Sequence, residues 1–242
     1  MSSLIREAIL SSKTAAGNMT DTKTLWDDWC LTHAIAEQGV PLFSTDDHGI
    51  VATKEIGRSA KTILLRHPDM ENLIIRETSL IVEDWETKKH EYDGLIYIMF
   101  RKNGLKITPL YIGKAESFGK GDRNLSVNIK NLATDKSKFA RWGDNYAYHI
   151  GDLSAVICNG HSAEKINPKY KRWATSLFEQ TGDQRYRLKD QVYFWMKAWK
   201  PSDVGIWKEM SPTRLTFLEY LLIGVASSVF GDTVLNFEGR NR

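Results

Sequence analysis

The sequence predicts an α+β fold: a small central antiparallel sheet flanked by helices, with an N-terminal mixed α/β attachment and an internal insertion. Three stretches point to it. Leu95-Ile96-Tyr97 and Tyr111-Ile112-Gly113 are apolar runs joined across Asn103-Gly104, and Asn-Gly between β-type runs is the strongest short-range hairpin signal. Asp190 to Trp199 (DQVYFWMKAW) is dense in aromatic and β-branched residues and is closed by Pro201, which reads as a further strand. Ser211 and Pro212 suit the N-cap and first position of a long apolar helix that runs to Phe230 and stops at Gly231.

In chain order, residues 1–20 read as a short helix or an arm. Thr22 to Gln38 has helical spacing at Leu25, Trp29 and Ala36, and Gly39 with Pro41 ends it. Asp46-Asp47-His48-Gly49 fits a polar turn better than a metal site. A second helix is expected to end near His67-Pro68, and Leu73 to Asp84 reads as one strand or two short ones. Arg123 falls at a helix start defined by Leu125, Ile129 and Leu132. In residues 133–149, Phe139, Trp142, Tyr146 and Tyr148 interleave with basic side chains; these aromatics either stack on bases or serve as core. Leu153 to Cys158 reads as a strand, and Lys165 to Gln180 as an amphipathic helix around Tyr170, Trp173, Leu177 and Phe178. The domain reading is an N-terminal region, 1–90, and a core, 91–242, with its insertion at about 133–189.

The net charge of +3 is unevenly spread. Residues 1–90 hold 10 Lys+Arg against 14 Asp+Glu, whereas residues 101–141 hold 10 against 3, a local +7. Such a zone is the footprint of a polyanion contact, with Lys120, Lys130, Lys136, Lys138 and Arg141 as its candidate DNA-binding cations. Cys30 and Cys158 have neither disulfide-framework nor zinc spacing. The N-terminal stretch lacks a signal-peptide core. Leu215 to Gly231, 17 residues with Glu219 inside, falls short of the ~20 apolar residues of a membrane span. A cytoplasmic protein without a membrane partner is the expectation.

Glu219 is the only charge from Leu215 to Gly231. A carboxylate there must reach solvent or find a cationic partner, because burying it unpaired costs several kcal/mol. The hairpin poses a second condition. A strict two-residue turn at Asn103-Gly104 sets Tyr111 opposite Ile96, which points the two tyrosines to opposite faces. Their convergence needs a three-residue loop or a β-bulge, and Pro109, which cannot donate to a ladder, suits a bulge or an edge.

The order of tyrosine, tyrosine, lysine, arginine, glutamate and asparagine resembles the GIY-YIG nuclease family. Leu95-Ile96-Tyr97 stands for its first motif, with Leu95 in place of the glycine, and Tyr111-Ile112-Gly113-Lys114-Ala115 for its second. Arg123 matches the helix arginine, Glu219 the metal-binding glutamate and Asn236 the terminal asparagine. The resemblance spans residues 92–132 and 190–238, and the 96 residues from Arg123 to Glu219 exceed the span in minimal members. It implies catalytic residues Tyr97, Tyr111, Lys114, Arg123, Glu219 and Asn236, with Glu219 holding Mg²⁺ (or Mn²⁺).

The implied chemistry is coherent. Clustered cations stabilise charge growing on phosphate oxygens, Arg123 with paired donors and Lys114 as a point charge. Lys114 and a metal-bound water would favour the phenolate of Tyr111 as a base, against an unperturbed pKa of about 10. Tyr97 would position water or phosphate, and Asn236 would orient its neighbours.

The function expected is a Mg²⁺-dependent DNA endonuclease of restriction or defence type. With six residues after Asn236, recognition is expected from residues 1–90, the insertion or a second subunit, as in a homodimer. The alternatives are a catalytically silent nucleic-acid-binding module and a protein-interaction module.

Overall fold

The hairpin forms one side of a four-stranded sheet. The computed structural model describes residues 21–58, 60–118, 124–126, 129–130, 141–142, 146–147, 149–179, 186–207 and 213–241. In chain order these include α1 (Thr22–Thr32), α2 (Ile35–Gln38), β1 (Val40–Pro41), β2 (Thr53–Ile56), β3 (Lys61–Leu64), α3 (Pro68–Glu86), β4 (Gly94–Asn103) and β5 (Lys106–Glu116). They continue with β6 (Arg141–Trp142), β7 (Tyr146–Ala147), α4 (Ile150–Ile157), α5 (Pro168–Leu177), β8 (Tyr193–Trp199) and α6 (Leu215–Phe230). The sheet order is β1-β8-β4-β5, antiparallel throughout, so β5 is an edge.

β4 is buried from Gly94 to Phe100, which is why it reads as a continuous apolar run. Its alternate residues serve two cores. Leu95, Tyr97 and Met99 join Phe194 and Met196, under Ile74 and Ile81 of α3, Leu153 of α4, and Trp173 and Leu177 of α5. Ile96, Ile98 and Phe100 join Trp195 and Trp199, under Trp26 and Trp29 of α1 and Leu218, Leu222 and Ala226 of α6. The molecule is therefore α+β, with helices on both faces of an antiparallel sheet. Residues of the 1–90 region contribute β1 to that sheet and α1 and α3 to its two faces.

Several elements differ from the sequence expectation. The helix expected over Thr22–Gln38 is two, divided where Ala34 takes φ 47°. The Asp46–Gly49 turn is as expected: the Asp46 carboxylate accepts from the His48 and Ile50 amides, each at 2.9 Å. In place of the second helix expected, β2 and β3 pair antiparallel, Thr53 with Leu64 through Ile56 with Lys61, and Gly57 takes φ 70°. Leu73–Asp84 is helix, not strand. Pro68 opens α3, His67 Nδ1 accepts from the Asp69 amide at 3.2 Å, and Met70, Leu73, Ile74, Glu77, Thr78, Ile81 and Asp84 form one buried stripe. Leu153–Cys158 is likewise helical through Ile157; a short apolar run does not separate the two states by periodicity.

α5 and β8 lie within their expected stretches. α6 starts at Leu215 with Arg214 at the N-cap, later than the Ser211 start expected, and ends at Gly231 with φ 51°. With its 3-10 extension, Leu215–Thr233 is long and apolar enough by composition to cross a membrane; here Leu218, Leu222 and Ala226 are core residues against the sheet. Arg123, Phe139 and Tyr148 lie outside the described residues.

Candidate active site along the β5 edge

The hairpin turns over Gly104-Leu105, since Asn103 pairs with Lys106, and Gly104 takes φ 58°. This loop alone would still leave Tyr97 and Tyr111 opposed, because it shifts the register by an even number. The bulge corrects it. Met99 pairs with Tyr111 and Phe100 with Pro109, leaving Leu110 as the extra residue, and beyond it Tyr97 pairs with Gly113. Both tyrosines then face the same core, with ring centroids 6.5 Å apart and planes at 27°. Tyr97 is 2% exposed and lies across Gly113; a Cβ there would meet its ring and hydroxyl at 2.5–2.6 Å.

The outer edge of β5 is covered by the chain's C-terminal elements. The Leu235 amide donates to Leu110 O at 2.7 Å. Asn236 makes both bonds of an amide pair with Ile112, accepting its N–H at 3.1 Å and donating to its carbonyl at 2.8 Å. The Glu219 carboxylate lies close enough to Lys114 for its ammonium, and more weakly its backbone, to favour the charged form. Leu110 O and both backbone groups of Ile112, which would otherwise invite another strand, are thus taken by Leu235 and Asn236.

Beside this edge lies a cavity of about 300 Å³, lined by Tyr111, Lys169, Glu219, Tyr220, Ile223, Asn236, Phe237 and Glu238. Glu219 is half-buried, and burial raises its pKa; the Lys114 ammonium opposes the rise, while Glu116 and Glu238 add to it. Tyr111 is pushed up to about 12 by burial, then by Glu219 and Glu238. The protein's own groups thus favour the neutral phenol of Tyr111, burial first and the carboxylates second, and the Lys114 ammonium is ion-paired with Glu116.

Thus Tyr111, Glu219 and Asn236 share one cavity, Lys114 flanks it through Glu219, and Tyr97 backs Tyr111 without lining the wall. Arg123, Lys120, Lys136 and Lys138 lie outside the described residues. Lys130 is exposed after Ile129, and Arg141 belongs to β6. Two cations of the +7 zone have structural work instead. Arg101 donates to Ser176 O at 2.9 Å and pairs with Asp190 at 3.2 Å. Lys102 donates to Ala36 O at 2.7 Å and stands 4.3 Å over the Tyr193 ring.

The sequence reading missed one wall. Lys169 Nζ donates to Tyr111 Oη at 3.4 Å, and the Trp173 and His149 rings pack on Tyr111 at 4.8 and 5.3 Å. His149 Nδ1 is hydrogen-bonded to the Tyr170 hydroxyl, and burial holds the imidazole well below its ordinary pKa. Tyr220 and Phe237, about half exposed, stand at the cavity mouth. The only hint was the i,i+4 spacing of Lys169 and Trp173 on an amphipathic helix.

Among the described residues, no three His, Cys, Asp or Glu side chains gather closely enough to enclose a metal ion. Comparison with protein-family models, curated proteins and solved structures gave no match to this chain.

Proposed function

We propose that the chain is a Mg²⁺-dependent endonuclease that hydrolyses DNA phosphodiester bonds, GIY-YIG-like in design and of restriction or defence type. The carrying observation is the cavity in which Tyr111 and Glu219, set about a hundred residues apart, meet beside the bulged hairpin. Both groups are pushed toward their neutral forms and Glu238 adds a further carboxylate, an excess of acidic groups that a divalent cation relieves. Glu219, with Glu238 beside it, would hold Mg²⁺, which supplies charge neutralisation at the phosphate and its leaving oxygen.

The protein's residues divide the remaining work. Tyr111 acts as a neutral phenol that orients the attacking water through Oη. Tyr97 fixes the Tyr111 ring from behind, and Asn236 locks the strand that carries it. Lys114 opposes the rise that burial imposes on the Glu219 pKa. Arg123 is the expected phosphate contact, and a homodimer would double the recognition surface. Random-sequence DNA incubated with Mg²⁺ should be cut at defined ends, and chelation should stop it; intact DNA under both conditions would sink the reading.

The preference of Tyr111 and Glu219 for neutral forms also favours a second reading, a module that binds nucleic acid without cutting. Salt-sensitive binding with no cleavage in Mg²⁺ would distinguish it.

A further inference from the structure

α5 brings a cation into the cavity that the hairpin and α6 do not supply. Lys169 follows Pro168 in the first turn of α5, with Nζ 3.4 Å from Tyr111 Oη. The ammonium lies 4.7 Å from the centre of the Tyr111 ring and 5.4 Å from those of Tyr170 and Trp173.

This position is unfavourable for a lysine. A helix N-terminus carries partial positive charge, so a cation in the first turn sits at the wrong pole. Burial among three rings strips water from the ammonium and disfavours its charge, which Asp152 only partly offsets. Holding the long side chain in one place costs rotamer freedom. The helix end does not need it, because Asn167 Oδ1 already caps the turn by accepting the Lys169 amide at 2.9 Å. Residues that break local rules in this way gather where function demands them.

We propose that Lys169 is a substrate-contacting residue whose ammonium takes a nonbridging oxygen of the phosphodiester seated in the cavity. The proposal rests on the nuclease reading and extends it: the cavity has an anion-binding side, Lys169, facing a cation-binding side, Glu219, with the Tyr111 hydroxyl coupled to both. A bound phosphate gains the attraction of both sides, and it gives the stranded ammonium a counter-charge. The segment between hairpin and α6 thereby becomes part of the catalytic apparatus.

The test compares Lys169→Met and Lys169→Arg with the unaltered full chain. Cleavage is measured on random-sequence DNA with Mg²⁺, binding to duplex DNA with Ca²⁺ across a salt series, and stability by thermal melting. Lys169→Met should cut about 100-fold more slowly, as for loss of one charge-stabilising donor. Its binding should depend on salt with a slope reduced by about one contact, and its Tm should be unchanged or higher. Arginine should recover part of both losses. Slower cleavage with a lower Tm, an unchanged salt slope and no rescue by arginine would mark a structural lysine and overturn the proposal. Full activity in Lys169→Met would overturn it while leaving the nuclease reading intact. No cleavage by the unaltered chain would remove the nuclease reading, and this proposal with it.

Discussion

The ring of Tyr111 lies 6.5 Å from that of Tyr97 at an angle of 27° because a single extra residue, Leu110, interrupts the β4–β5 ladder. In a bulge, two successive side chains on one strand oppose a single residue of its partner, and here that places Tyr111 on the Tyr97 side. The same strand edge then hands Ile112 to Asn236 and sets the Lys114 ammonium near the Glu219 carboxylate. One local irregularity thus sets the whole site.

Gly113→Ala tests how tightly that face is built. The new methyl would stand 2.5–2.6 Å from Tyr97 ring atoms, and Tyr97 is buried with Phe194 against it. Overpacking of this kind costs about 1–3 kcal/mol. Denaturant unfolding should show that loss, and the displaced Tyr97 ring should disturb Tyr111 and slow cleavage.

Asn236→Ala should be more damaging to the fold than its place near the C-terminus suggests. It strips both partners from the Ile112 backbone, which is buried in the sheet edge. Leaving a buried donor and acceptor unsatisfied costs about 1–3 kcal/mol each. Urea denaturation should therefore show a loss of about 2–6 kcal/mol, and hydrogen exchange at Ile112 should accelerate.

Glu219→Gln should raise stability at neutral pH in the absence of metal. Burial holds the folded-state pKa of Glu219 above the ordinary 4.5, so the folded protein binds a proton that the unfolded chain has already released. Stability from this group falls as pH rises from about 4.5 through the raised value. Thermal melts should show the variant ahead of the native protein at neutral pH, with the gap closing below about pH 4.

Acid should destabilise the fold earlier than carboxylate titration alone would. Burial lowers the pKa of both His33 and His149 below 6.5. The unfolded chain takes up protons that the folded state refuses, so stability present above about pH 6.5 is lost as pH falls toward the folded values. His149→Asn keeps a residue that tolerates φ 52°, and it should flatten part of that acid slope in urea melts.

The hairpin is legible because its signals are local: two apolar runs, a glycine that takes positive φ at the Gly104-Leu105 turn, and Pro109 beside the bulge. β8, α5 and α6 were legible for the same reason. α3 was misread because Leu73-Ile74-Ile75 looks like a strand start; the helical stripe begins earlier, at Met70, behind the Pro68 signal. Residues 153–158 are a short apolar run that either state accommodates. In the site, Glu219 stood out as a lone charge in an apolar helix. Lys169 did not, since a lysine on an amphipathic helix is ordinary until the fold brings it to Tyr111, 58 residues away. What raises the Tyr111 pKa, burial first and then Glu219 and Glu238, is assembled only by the fold and is not legible in the spacing of the chain.

In the proposed function, Glu219 and Tyr111 share a cleavage site that depends on a bound cation. The most direct measurement is DNA cleavage with Mg²⁺ by the native chain beside Glu219→Gln, with thermal melting to confirm that both are folded. Cut DNA is expected from the native chain, none after chelation, and a loss of about 100-fold or more, on the order expected for a removed charge-stabilising group, in a variant that melts no lower. Equal cleavage by both proteins, or cleavage untouched by chelation, would contradict it.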